Sequence, residues 1–247
     1  MEHSPAMENP VLQKIVQAIS DALGDRLRSL LLYGSAARGD FHQRTSDLNL
    51  LVVVEELGRS NLEALAPIFK RWRKQGQPFP RLFSSGGLAR SADVFPIEFL
   101  DIQRHRVVLF GEDPMAELEI HRDHLRLQCE RELREKIMRL REGYLESQGS
   151  SRALTTLLTD SYTTFVALFR GCLYLLGGEV PVHNQEVVAA FCSRAELDLA
   201  PFQDVDRLKR GEKIEPDAKT AFFRYYEEIA RAVDRVDRFH PPVPGPD

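Results

Sequence analysis

Two apolar runs on either side of a short glycine-containing loop constrain this chain more than any other feature. Leu30, Leu31, Leu32 and Tyr33 form the first run, which stops at Gly34-Ser35. A polar loop carrying Arg38, Gly39 and Asp40 follows. The second run opens with Ser46, Asp47, Leu48 and Asn49 and continues through Val54. The runs are expected to be two buried strands. The second is so continuously apolar that it belongs in the middle of a sheet. Alternation along a strand sets Asp47 and Asn49 on one face. An acidic group beside a glycine loop suits a metal ion and a triphosphate.

The flanking segments extend this pattern. Apolar residues at Val11, Leu12, Ile15, Val16, Ile19 and Leu23 have helical spacing, with Pro10 suited to a first turn and Gly24 to a stop. Residues 60–76 are expected to form a helix with Leu62, Leu65, Ile68, Phe69 and Trp72 inward. Its basic end, residues 70–74, fits cations at a helix C-terminus, with contact to a phosphate-bearing ligand as the alternative. Residues 81–84 and 107–110 are expected as short strands. Residues 94–102, V-F-P-I-E-F-L-D-I, are expected as a third important strand. Glu98 stands there among apolar residues, where a carboxylate needs a partner or a task.

Beyond about residue 115 the pattern is helical. Residues 121–148 form a charge-rich amphipathic segment, and Leu125, Leu127, Cys129, Leu133, Ile137, Leu140 and Leu145 supply its apolar positions. Residues 152–176 form a more apolar one, ended by Gly177-Gly178. Further helices are expected over 184–194, 201–209 and 216–239. The expected fold class is therefore α+β. A mixed β-sheet with helices spans residues 1–115, an all-α helical bundle spans 116–240, and a proline-rich tail without regular structure spans 241–247.

Composition narrows the classes of function. Hydrophobic residues make up 43% of the chain, and the net charge is -4. That balance argues against a protein that coats nucleic acid. Three widely spaced cysteines make neither a disulfide framework nor a zinc knuckle. No segment reads as a signal peptide or a membrane span. The expectation is a soluble cytoplasmic protein.

The residues G-S-A-A-R-G-D-F-H-Q-R-T-S-D-L-N-L-L-V resemble the signature of the nucleotidyltransferase superfamily that includes DNA polymerase beta. In that superfamily a G-S motif precedes a D-x-D or D-x-E on the next strand, and a later strand supplies a third carboxylate. By pattern the chain is most similar to minimal nucleotidyltransferases and to aminoglycoside adenylyltransferases. The resemblance implies transfer of a nucleoside monophosphate, AMP from ATP, to a hydroxyl of an unidentified acceptor, with Mg²⁺. It implies phosphate contacts from Gly34, Ser35 and Arg38. Asp47 is then the principal magnesium ligand, with Asn49 assisting. Glu98 becomes the third carboxylate, as general base or second metal ligand, with Asp101 as its alternative. In the helical half, Arg170, Gly178 and His183 resemble an adenylyltransferase segment with a Lys at the last position, so Arg170 and His183 are candidate nucleotide contacts. Arg170 could instead form a structural ion pair.

Two departures stand out. Asn49 occupies the second carboxylate position, and His183 replaces the Lys. The alternative reading is thus a catalytically degenerate nucleotidyltransferase that binds a nucleotide or a protein without turnover.

Overall fold

A computed structural model describes residues 9–37 and 47–239, the side chain of Ser35 excepted. Arg38 and the expected tail at 241–247 lie outside the described residues. The chain divides into two compact units, Met1–Ile120 and His121–Asp247. The fold is α+β, with a four-stranded mixed sheet in the first unit and helices throughout the second.

The first unit opens with α1 (Pro10–Leu23). The Asn9 side-chain oxygen accepts from the Val11 N–H at 2.8 Å and caps the helix, with Pro10 in its first turn. Strands β1 (Leu27–Tyr33), β2 (Asn49–Val54), β3 (Arg81–Ser84) and β4 (Arg106–Gly111) form a sheet in the order β3-β2-β1-β4. β1 runs antiparallel to both β2 and β4. β2 and β3 are parallel, joined by the crossover helix α2 (Arg59–Lys74).

Burial on both faces accounts for the unbroken apolar run of β2. Leu50, Val52 and Val54 pack with Leu30 and Leu32 against the apolar sides of α1 and α2. Leu51, Val53 and Leu31 face the other way. They meet Leu88 from α3 (Ser85–Arg90), Phe99 and Ile102 from α4 (Pro96–Arg104), and Met115.

The strand expected over residues 94–102 is not formed; these residues supply most of α4. Phe95, Phe99 and Ile102 recur at i, i+4 and i+7, so a helix turns all three toward the sheet. Pro96 sits in the first turn, where its missing N–H costs nothing, and Glu98 lies beside the positive end of the helix. Leu62, expected inward on α2, is 51% exposed.

The second unit contains α5 (Arg122–Ser147), α6 (Ser151–Leu175), α7 (Asn184–Ala195), α8 (Ala200–Lys209) and α9 (Ala218–Asp237). Ser150 caps α6 by accepting from the Ala153 N–H. Gly143 lets α5 approach α6, since a Cβ there would lie 2.7 Å from Leu157 Cδ1. Phe165, Phe169, Phe191, Phe202 and Tyr225 fill the core, with Phe169 stacked on Phe191 at 4.1 Å. The buried Glu228 carboxylate is satisfied by the Asp198 N–H at 3.0 Å and by Arg231 at 2.7 Å. Leu127 and Leu145, counted among the apolar positions of α5, turn outward at 53% and 74% exposure. Among the described residues no helix is long and apolar enough to cross a membrane.

Candidate functional site

The turn after β1 meets the start of β2 at one end of the sheet. Gly34 has φ +79°, and a Cβ on it would stand 3.2 Å from Asn49 Nδ2. The left-handed backbone favours glycine here, and a side chain would also press on the Asn49 amide. The approach is made by the Asn49 amide, not left open to a phosphate. The Gly34 N–H is also engaged, donating to the His105 carbonyl at 3.1 Å. That bond ties the turn to the residue that ends α4.

Asn49 lies directly opposite Tyr33 in the β1–β2 register. Both side chains fall on the sheet face that carries Leu31, Leu51 and Val53. Asp47 precedes β2 and is exposed. Between the two, Leu48 is buried, and its N–H donates to Gln77 Oε1 at 2.8 Å. The start of the strand is thereby fixed.

The resemblance asks for a third carboxylate from a strand after β2. The later strand that pairs with β2 is β3, Arg81-Leu82-Phe83-Ser84, and none of the four strands carries an Asp or Glu. Arg81 is the register partner of Leu51 and shares its face, because Phe83 two residues on packs with Val53. The Arg81 Nε–H donates to the Tyr33 hydroxyl at 3.2 Å. Tyr33 is on β1 and Arg81 on β3, so the contact passes over β2. Strands in a sheet lie about 4.8 Å apart, so the two backbones are separated by about 10 Å. Only long side chains bridge that span, and they do so above the Asn49–Leu51 end of β2.

Glu98 is half-buried in the first turn of α4, a helix rather than a strand of the sheet. Asp101 lies 3.4 Å from Nδ1 of His105, the residue that ends α4. Among the described residues, the start of β2 itself thus offers one exposed carboxylate and one carboxamide, with a guanidinium held across the strand. This does not fit a magnesium site, which relies on paired carboxylates and is repelled by a neighbouring fixed cation. Among the described residues no three His, Cys, Asp or Glu side chains gather as a metal site would require.

The candidates in the second unit have other engagements. Arg170 Nη1 donates to the Pro181 carbonyl at 2.8 Å. Its Nη2 donates to the Val182 carbonyl at 2.7 Å and to Asn184 Oδ1 at 3.0 Å. The guanidinium therefore braces the connection from α6 to α7, and His183 is the N-cap residue of α7. An arginine on an apolar helix needs acceptors, and here backbone carbonyls supply them.

Sequence reasoning missed Tyr33 and Arg81. Tyr33 reads as the end of an apolar run, and Arg81 as the first residue of a short strand. Nothing local links them, because 48 positions separate them and the link depends on strand order.

No protein-family model matches the chain, and no curated protein matches it in sequence.

Proposed function

We propose that the first unit is a nucleotidyltransferase-type domain that binds a nucleoside triphosphate, ATP in the simplest case, without transferring its nucleotidyl group. The observation that carries this reading is the Arg81–Tyr33 contact over β2. Where an active site of this type needs a carboxylate pair to hold magnesium, this chain has Asn49 and a nearby guanidinium. Nucleotidyl transfer depends on metal ions that neutralise the triphosphate and orient the attacking hydroxyl. The ancestry is supported by Gly34-Ser35, by Asp47, and by the antiparallel β1–β2 pair that joins them. Asp47 then serves at the rim of the nucleotide site. The three free cysteines suit a reducing compartment such as the cytoplasm.

The competing reading is an active transferase that uses Mg²⁺ with Asp47, Asn49 and Glu98 and moves AMP to an unidentified hydroxyl. An assay with labelled ATP and Mg²⁺ or Mn²⁺ over a broad panel of hydroxyl acceptors separates the two. The proposal expects neither pyrophosphate nor labelled product, alongside measurable ATP binding. Metal-dependent pyrophosphate release that is lost in Asp47→Asn and Glu98→Gln would establish the transferase instead.

A further inference from the structure

We infer that Arg81, Tyr33 and Asn49 form an anion site that takes the polyphosphate tail of its ligand without a divalent metal. The inference rests on the nucleotide-binding reading and names the chemistry of that site.

Three donors converge on one face at one end of the sheet. Arg81 spends only Nε–H on Tyr33, and both of its Nη groups lack a hydrogen-bond partner among the described residues. It forms no ion pair with a described carboxylate, Asp47 included. An arginine is rarely buried without a partner. This one is held instead by a neutral phenol, which orients the guanidinium without neutralising it. Tyr33 accepts through its oxygen, so its hydroxyl hydrogen is available to a ligand. The Asn49 amide has no hydrogen-bond partner among the described residues, and its Nδ2 stands 3.2 Å from where a Cβ on Gly34 would lie.

The chemistry of this set favours phosphate. A guanidinium with both Nη groups unused keeps one edge that matches phosphate oxygens in a bidentate way, and the phenol and carboxamide each add a neutral donor. The fixed charge supplies in part what magnesium supplies in an active enzyme. Prior neutralisation of the polyphosphate by Mg²⁺ therefore lowers its attraction to the site.

Calorimetric titration of the full chain with inorganic triphosphate tests this, first in EDTA and then in Mg²⁺. Binding is expected in EDTA and is expected to weaken in Mg²⁺. Arg81→Gln should lower the affinity in EDTA by about 10- to 100-fold, the scale of one charge-assisted contact. Arg81→Lys, which keeps the charge but loses the fork, should fall between the two, and Tyr33→Phe should lower it less than Arg81→Gln. Thermal melts of each variant separate lost binding from lost folding, and Arg81→Lys preserves the test if Arg81→Gln does not fold. ATP added as a competitor distinguishes a nucleotide site from one for free polyphosphate. Arg81-dependent triphosphate binding that ATP does not displace would sustain the anion site and overturn the nucleotide reading. ATP binding that requires Mg²⁺ and is indifferent to Arg81→Gln would overturn the anion site and leave the nucleotide reading standing. Absence of triphosphate binding in EDTA would also overturn the anion site.

Discussion

Arg81 on β3 and Tyr33 on β1 meet across the intervening strand, Nε to hydroxyl at 3.2 Å, above the end of β2 where Asn49 stands. A cation is thereby fixed over the end of β2 where Asn49 stands, the position at which the resemblance asks for a second acid. A carboxamide at position 49 and the guanidinium are physically coherent. A carboxylate at position 49 would be drawn to Arg81, and a magnesium ion would be repelled by it.

That coherence predicts an unusual response to restoring the acid. Asn49→Asp is expected to leave the chain without transferase activity, because a new carboxylate beside Arg81 pairs with it. The same variant is expected to bind ATP about 10-fold more weakly in EDTA, the cost of one opposed charge near the phosphates. Parallel titration and labelled-ATP assays of wild type and Asn49→Asp measure both effects. A variant that gains activity and binds ATP more tightly with Mg²⁺ would contradict the account.

Two glycines are predicted to differ in their tolerance of alanine. At Gly34 the cost is a left-handed backbone plus a contact with the Asn49 amide that can yield, in total about 1–2 kcal/mol. At Gly111, φ is +72° and a Cβ would fall 2.0 Å from the Arg28 carbonyl oxygen, on backbone held by the β1–β4 pairing. Gly111→Ala should cost about 3 kcal/mol or more, or prevent folding. Urea midpoints of the two variants rank them.

How much of this was legible before the fold was known follows from the range of each interaction. β1, β2 and the helical second half show through their apolar spacing, because burial repeats along the chain. Residues 94–102 satisfy period two and helical spacing at once, and Pro96 together with the Phe95–Phe99–Ile102 stripe decides for the helix once the sheet needs a cover. For that reason the sequence pattern sets Glu98 on a strand and the structure sets it on a helix. Arg81 was not legible at all, since its meaning comes from β3 lying beside β2. Leu127 and Leu145 lie outside the buried face because a helix that long has more apolar residues than its buried stripe can use.

The thiols are predicted to be inert in the native state. Cys129 and Cys172 are fully buried, and Cys192 is 2% exposed. The neighbouring Cys129 thiol and burial raise Cys172 well above the usual thiol range. Burial pushes Cys192 up to about 12. Reaction with a chromogenic disulfide at neutral pH should be negligible until the chain is unfolded, when all three thiols titrate. Rapid native labelling would show that the second unit opens readily.

Acid should weaken α5 through Glu130. The hydrogen bond from Arg134, aided by Arg126, holds the Glu130 carboxyl below its ordinary value of 4.5. A depressed folded value means that the stabilisation is complete above 4.5 and is lost as pH falls through the lower folded value. Glu130→Gln should lower stability at pH 7 and leave it unchanged at the acid end of that window. Denaturant melts of both proteins across the window give the difference. Arg134 is half-exposed, so the effect is small, within about 1 kcal/mol.

The most direct measurement is a crystal structure of the chain soaked with ATP and Mn²⁺, with anomalous scattering used to locate the metal. The account predicts triphosphate oxygens within hydrogen-bond distance of the Arg81 Nη groups and the Tyr33 hydroxyl, and no manganese between Asp47 and Asn49. A manganese ion bound by Asp47, Asn49 and a phosphate oxygen, with Arg81 swung away from β2, would contradict it.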